Sequence, residues 1–287
     1  ESNEPTYIVL DALRNPFEIL YFRERFSAFY LFAVTTENED REYRLGRLEF
    51  SSRQISDLDA KEYPEKETPL SGYDSFTSQN IQSCLEKADV YIRNNGRTEK
   101  GSDPNLSELT SQLIRYFSLI LHPGLVTPTR PERCMQTAFS ARANSGCISR
   151  QVGAAVTDAQ DSIKAIGWND VPAGQVPCLL RRAEDLTSKN DAEAFSDYEF
   201  GNSKFLEKVQ SSYIRFREVD MGGRSSSFCF KTEYNSLTGE KNQVHTRSLH
   251  AEENAFLQLA KYGGDGIQGG NLYTTASPCE LCAKKAF

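Results

Sequence analysis

His250-Ala-Glu-Glu-Asn254 and Pro278-Cys-Glu-Leu-Cys282 are the two stretches on which the reading of this chain turns. Each opens a helix-like run: His250 to Tyr262 carries apolar residues at helical spacing, and Pro278 starts another helix after the strand-like Gly269 to Thr275. One imidazole and two thiolates, from His250, Cys279 and Cys282, make a three-ligand Zn2+ set whose fourth tetrahedral position is left to water, as in catalytic rather than structural sites. Cys279 and Cys282 are three apart and share a face of the first turn. Exposed backbone N–H groups at a helix start favour thiolate over thiol. Glu252 stands two positions after His250, about 200° around an ideal helix. At a helix terminus both side chains can still lean toward one point, where Glu252 would shuttle the proton of water acidified by the metal. A CxxC alone is commonly half of a structural site, and a lone HAE triplet occurs by chance. The test is a fourth ligand, and His245 is the nearest spare histidine, with His122 across an expected domain boundary.

Working outward, Glu132 to Asn144 reads as a helix, followed by Val152 to Val156 and Ser162 to Trp168 as a β-hairpin turning at Asp158 to Asp161. Residues 179–243 are charged and punctuated, with one helical piece at Phe205 to Arg217 and a short Phe228-Cys-Phe230 run, and they read as an insertion. Upstream, the proline-rich His122 to Pro131 breaks both periodicities and marks the boundary between a domain at 1–128 and another at 129–287. In the first domain Thr6 to Leu10 reads as a short buried strand, Pro16 to Arg25 as a helix and Phe29 to Thr35 as a second strand. Ser51 to Tyr73 is polar, Asp74 to Ala88 regains helical spacing, Ala88 to Arg93 looks like another strand and Leu106 to Leu121 an amphipathic helix. Strand, helix, strand points to a parallel α/β unit. Asp11 reads as a helix cap and Arg14 as a surface ion-pair partner, ahead of a role at a phosphate.

A chain of 287 residues with 38% hydrophobic content can fill more than one core. Its longest apolar runs fall far short of the roughly 20 residues that cross a bilayer, so no membrane partner is expected. No signal-like segment opens it, and a close CxxC suits a reducing compartment, which points to the cytoplasm. A net charge of -7 argues against a nucleic-acid-tracking face and leaves room for a small basic pocket holding one nucleotide. The sequence begins at Glu1 and stops at Phe287, just past the second motif, and further chain at both ends is expected.

From Cys134 onward the chain resembles the zinc-dependent cytidine and deoxycytidylate deaminase superfamily. The motifs are Cys147-Ile-Ser-Arg-Gln-Val-Gly153, Gly167-Trp-Asn-Asp-Val-Pro-Ala-Gly174, which is like the GYNG-x-P loop of deoxycytidylate deaminases, and the two stretches quoted first. The resemblance implies a cytidine-deaminase-like α/β/α domain. It implies His250, Cys279 and Cys282 on zinc, Glu252 as catalytic acid and base, Asn169 hydrogen-bonded to the sugar, and Arg150 and Gln151 as candidates for phosphate contact. In the first domain Ile8-Val-Leu-Asp-Ala-Leu-Arg-Asn-Pro-Phe-Glu18 is similar to a late strand of P-loop nucleotide kinases. A P-loop kinase-like parallel-sheet domain ahead of a deaminase domain resembles the bacterial anti-phage dCTP deaminases, although no GxxxxGK[ST] loop is present and the domain is incomplete in that respect. The implied activity is hydrolytic deamination of dCTP or dCMP by a cytoplasmic homo-oligomer, with a nucleotide effector as a further partner and the insertion serving regulation or assembly. Deamination of cytosine or adenine in nucleic acid, and a nucleotide sensor on a deaminase fold, stand as alternatives. Cys147 and Cys178 read as buried small hydrophobes before a second metal site or effector pocket, and Trp168 and Tyr273 as core or pocket-wall aromatics.

Overall fold

In the computed structural model the described residues are 6–63, 77–95, 107–217, 228–239, 247–264 and 266–287. The chain separates into two units, Glu1–Thr127 and Pro128–Phe287.

In the first unit, helix α1 (Pro16–Arg25) begins at a capping box in which Asn15 and Glu18 satisfy each other's backbone, with proline in the first turn. Strand β1 (Phe32–Thr35), helices α2 (Asn38–Arg47), α3 (Ser52–Glu62) and α4 (Ile81–Leu85), strand β2 (Val90–Arg93) and helix α5 (Ser107–Leu121) follow. β1 and β2 pair in parallel, from Phe32 with Val90 to Thr35 with Arg93, so the connection between them is a crossover, whereas the expected strand-helix-strand unit of Thr6 to Leu10, Pro16 to Arg25 and Phe29 to Thr35 lacks its first strand. The Asn15 amide donates to the Ser78 carbonyl, and Ile19 and Ile92 are fully buried.

Three expectations for this unit need correction. Thr6 to Leu10 is not a strand, and Tyr7, Ile8 and Val9 are exposed. An apolar run is buried as a strand only when a sheet edge receives it, and the described sheet here consists of β1 and β2 alone. Asp11 does not cap α1, because Asn15 occupies that position; Arg14 does form a surface ion pair, 3.3 Å from Glu62. Helix α3 lies in the stretch read only as polar. Its start is a Ser51/Gln54 capping box, and it has no buried residue to create an apolar period. Part of the expected helix at Asp74 to Ala88 lies outside the described residues, and the remainder is helical at Thr77 and over α4.

The second unit is built on a three-stranded antiparallel sheet in the order β4-β3-β5, with β3 (Gly153–Thr157), β4 (Ile163–Trp168) and β5 (Leu272–Thr274). Every residue of β3 is buried, and its small side chains let helices approach on both faces. Helix α6 (Arg130–Ala141), started by a Thr129/Glu132 capping box, packs so closely that a Cβ on Gly153 would stand 1.9 Å from the Ala138 carbonyl oxygen. On the other face Val156 and Ala165 form a core with Ala255 and Leu259 of a later helix.

Among the described residues, four α-helices lie between β4 and that later helix: α7 (Ala183–Ser188), α8 (Asp197–Gly201), α9 (Ser203–Arg217) and α10 (Phe230–Thr238). They carry a core of their own, with Leu186, Phe195, Phe205, Val209, Phe228 and Phe230 buried together. The insertion is therefore a small helical subdomain. α7 and α8 are too short to show a period in sequence, since helices of six and five residues complete barely more than one turn. Helix α11 (Ala251–Tyr262), β5 and helix α12 (Glu280–Ala286) complete the unit. None of the described helices is long and apolar enough to cross a membrane.

Candidate metal centre

His250 is the N-cap of α11 and Cys279 the N-cap of α12, both in extended backbone conformation. This resolves the angular difficulty with Glu252: His250 precedes the helix, so the 100° step between helical neighbours does not govern its direction. The segment before His250 is fixed by backbone pairing of Leu249 with Asp170, whose carbonyl accepts from the Leu249 N–H at 2.8 Å. The first turn of α11 is tied to the end of β4 by Asn254 Nδ2, which donates to the Trp168 carbonyl at 3.0 Å. An ion pair between Lys285 and Glu253 links α12 to α11.

These constraints bring the donors together. His250 Nδ1 lies 3.3 Å from Cys279 Sγ and 3.4 Å from Cys282 Sγ, and the three ligand atoms all fall within 4.8 Å of one another. Zinc bonds near 2.3 Å to sulfur and 2.1 Å to nitrogen set ligand-to-ligand spacings of about 3.6–3.8 Å in a tetrahedron. Two sulfurs and an imidazole at these spacings fit zinc with small adjustments, and suit it better than the oxygen-seeking Mg2+ or Ca2+. Among the described residues no fourth His, Cys, Asp or Glu joins the group. His245 lies outside the described residues, and His122 belongs to the other unit. Cys282 is 2% exposed, and its thiol is pushed up to about 12 by burial, then by Glu252 and Cys279. A cation is what would make both sulfurs thiolates here.

Glu252 is buried, at 4% exposure, and its Oε1 lies 3.4 Å from the Thr274 hydroxyl, which has a nearer acceptor in the Ala276 carbonyl at 3.0 Å. Together with His250 and Cys279 it faces a cavity of about 1020 Å³. Asn169 and Arg150 also line that cavity. The Asn169 amide is engaged within the chain: Oδ1 accepts from Val152 N at 2.7 Å and Ser145 Oγ at 2.9 Å, and Nδ2 donates to the Arg150 carbonyl at 2.8 Å. Arg150 is exposed at the rim. Gln151 is exposed, is not among the cavity residues, and donates to the Ser145 carbonyl. Trp168 and Tyr273 do not line the cavity; the Tyr273 hydroxyl donates to Asp161 at 2.7 Å, which holds the turn of the β3–β4 hairpin. Cys147 and Cys178 do line it, as does Cys229. The opposite wall, with Phe195, Tyr198, Phe230 and Arg247, comes from the insertion and the segment after it. Sequence reading missed this wall, because an insertion between sheet elements carries no sign of where its side chains fold back.

Residues 128–287 match the family model of the cytidine and deoxycytidylate deaminase zinc-binding region. The chain belongs to this family. As a member it is a hydrolytic deaminase with zinc as its cofactor, and His250, Cys279 and Cys282 form a group that could hold the ion. It is 30% identical to the deoxycytidylate deaminase of Enterobacteria phage T4 over 152 residues, which cover 52% of this chain and 68% of the relative. The phage T2 deoxycytidylate deaminase is likewise 30% identical over 152 residues, with 70% of its length covered. Among solved structures, the dCMP deaminase of cyanophage S-TIM5, in apo form, is 24% identical over 56% of this chain and 75% of that chain, with a TM-score of 0.30. The same enzyme in complex with dCMP and dUMP has the same identity and TM-score.

Proposed function

We propose that this protein hydrolyses the amino group of deoxycytidine nucleotides, converting dCMP, dCTP or both to the uracil nucleotide and ammonia. The observation that carries the reading is the buried Glu252 carboxylate beside His250, Cys279 and Cys282 on the wall of one nucleotide-sized cavity. Family membership and the phage deoxycytidylate deaminases among its relatives support the substrate class.

Zinc held by His250, Cys279 and Cys282 supplies Lewis acidity that brings water toward ionisation near neutral pH. The work of the chain itself is proton handling. Glu252 takes a proton from the attacking water as oxygen bonds to C4 of the cytosine ring, and delivers it to N3. It then passes the second water proton to the departing amino group as the C4–N4 bond breaks. One water enters and one ammonia leaves, and the ring ends as uracil. Burial of Glu252 keeps bulk water from competing for these protons.

The wider setting belongs to the same proposal: residues 1–128 as a kinase-like domain, removal of cytosine deoxynucleotides as an anti-phage measure, a cytoplasmic location and a homo-oligomeric state. The parallel pair β1–β2 with helices in its connection supports the first of these. The reading is tested by incubating the zinc-loaded protein separately with dCMP, dCTP and a cytosine-containing oligonucleotide while following ammonia release. Release from a free nucleotide is expected, and turnover of the oligonucleotide alone would overturn the assignment.

A further inference from the structure

The insertion presents Arg181 to the cavity and the segment after it presents Arg247, and they are used differently. Arg181, 2% exposed, pairs with Glu199 at 2.6 Å, and its guanidinium carbon lies 4.5 and 4.6 Å from the ring centroids of Phe195 and Phe230. That cation has a carboxylate and a place over two rings that pack edge to face on each other. Arg247 has neither. One terminal nitrogen donates to the Ala194 carbonyl and the other lies 3.3 Å from Gln175 Oε1, both neutral acceptors, while Nε is buried without a partner. Among the described residues no carboxylate lies within ion-pair distance of it.

A guanidinium remains charged at any physiological pH, so a partly desolvated one without a counter-charge is costly unless an anion completes it. Burial and the neighbouring Arg181 both disfavour its charge, and the opposing Glu199 is already committed to Arg181. Arg247 stands on the wall of the cavity that also holds His250 and Glu252. Two residues separate it from His250, a reach of about 10 Å along extended chain, and the Leu249–Asp170 pairing fixes that segment. A guanidinium sharing one cavity with the metal donors suits a ligand with a ring at one end and an anion at the other.

We propose that Arg247 is the anchor for the substrate's 5′ phosphate, with its guanidinium fork matched to phosphate oxygens. This rests on the nucleotide-deaminase reading above and assigns to Arg247 the contact for which Arg150 and Gln151 are the motif-based candidates. The Arg181–Glu199 pair then serves as the rigid wall against which Arg247 is held.

The test uses product binding, which needs no turnover. The zinc-loaded full chain is titrated calorimetrically with dUMP, dUTP and deoxyuridine, as wild type, R247Q, R247K and R150Q. Wild type is expected to favour the phosphorylated products over deoxyuridine. R247Q should bind them about tenfold to a hundredfold more weakly with deoxyuridine affinity unchanged, and R247K should fall between. Wild-type affinity in R247Q, absence of a phosphate preference in wild type, or a loss confined to R150Q would each overturn the proposal. If R247Q does not fold, R247K decides by the same criterion, since it keeps the charge and loses the fork. Arg247-dependent dUMP binding by a protein that releases no ammonia from dCMP or dCTP would sink the deaminase reading and leave the anion site standing. Turnover of dCMP with an unchanged KM in R247Q would do the reverse.

Discussion

Gly167 faces the carbonyl of Ala251 so closely that a Cβ on the glycine would stand 2.1 Å from that oxygen and 2.5 Å from Ala255 N. Both are backbone atoms of α11, so no side chain can rotate away. Gly167→Ala must push the helix off β4, and Glu252 and the His250 cap move with it. The substitution is expected to cost about 2 kcal/mol or more in stability and to depress kcat by more than the loss of folded protein explains. Urea denaturation and assays on the folded fraction check this; wild-type stability would show that the approach is looser than described.

In the proposed mechanism Glu252 handles protons without holding the metal. Glu252→Gln keeps its size and polarity while removing the exchangeable charge, and general acid-base groups contribute typically about 10²–10⁴-fold. Ammonia release is expected to fall by at least that range with zinc content unchanged. A variant that retains full release, or one that loses zinc in parallel with activity, contradicts the assigned role.

How far the chain could be read from its residues follows from which physical signals are local. Helix α11 and the β3–β4 hairpin were legible because apolar period and turn chemistry agreed, and the zinc donors because ligand type and spacing are carried by adjacent residues. Tyr7 to Val9 misled because an apolar run does not reveal whether a sheet edge is present to bury it. Helices α7, α8 and α10 were invisible because their order comes from a shared phenylalanine core rather than from a repeated period. Arg247 escaped for a related reason: its significance lies in lacking a carboxylate partner, a property of the folded surroundings.

Zinc affinity should depend on pH in a fixed direction. Without a cation, the Cys282 thiol is raised to about 12, so it is protonated throughout the physiological range and binding must displace that proton. Apparent affinity is therefore expected to rise with pH and fall as pH drops from about 8 to 6. The metal-free fold has the opposite slope. A raised folded value confers stability below the unfolded thiol value near 8.5, which is lost as pH climbs toward 12. Chelator competition at several pH values measures the first, and thermal melts with and without chelator the second. An affinity that ignores pH would mean that Cys282 is not a ligand.

Asn169 offers a way to separate contact from support. Its side chain holds Ser145, Arg150 and Val152, so Asn169→Ala leaves a backbone N–H and a carbonyl of the loop without their partners. A stability loss of about 1–3 kcal/mol is expected together with a raised KM, because the loop forms part of the cavity wall. A residue that only touched the sugar would raise KM and leave the melting temperature alone. Measuring both quantities on one preparation distinguishes the two roles.

The Arg181–Glu199 pair should behave as a buried ion pair whose value lies in its completeness. Removing Arg181 alone leaves Glu199 in a largely buried site without its cation, and Arg181→Ala is expected to cost about 3–5 kcal/mol. Replacing both partners, as in R181M/E199L, removes the charge and its desolvation penalty together, so the double variant should recover most of that loss. The double variant also takes away the negative group nearest in role to a counter-charge for Arg247, which should leave binding of phosphorylated product intact or stronger. Urea denaturation of the single and double variants gives the coupling. Additive losses would place Arg181 and Glu199 in separate, solvent-screened environments, contrary to their close contact in a largely buried site.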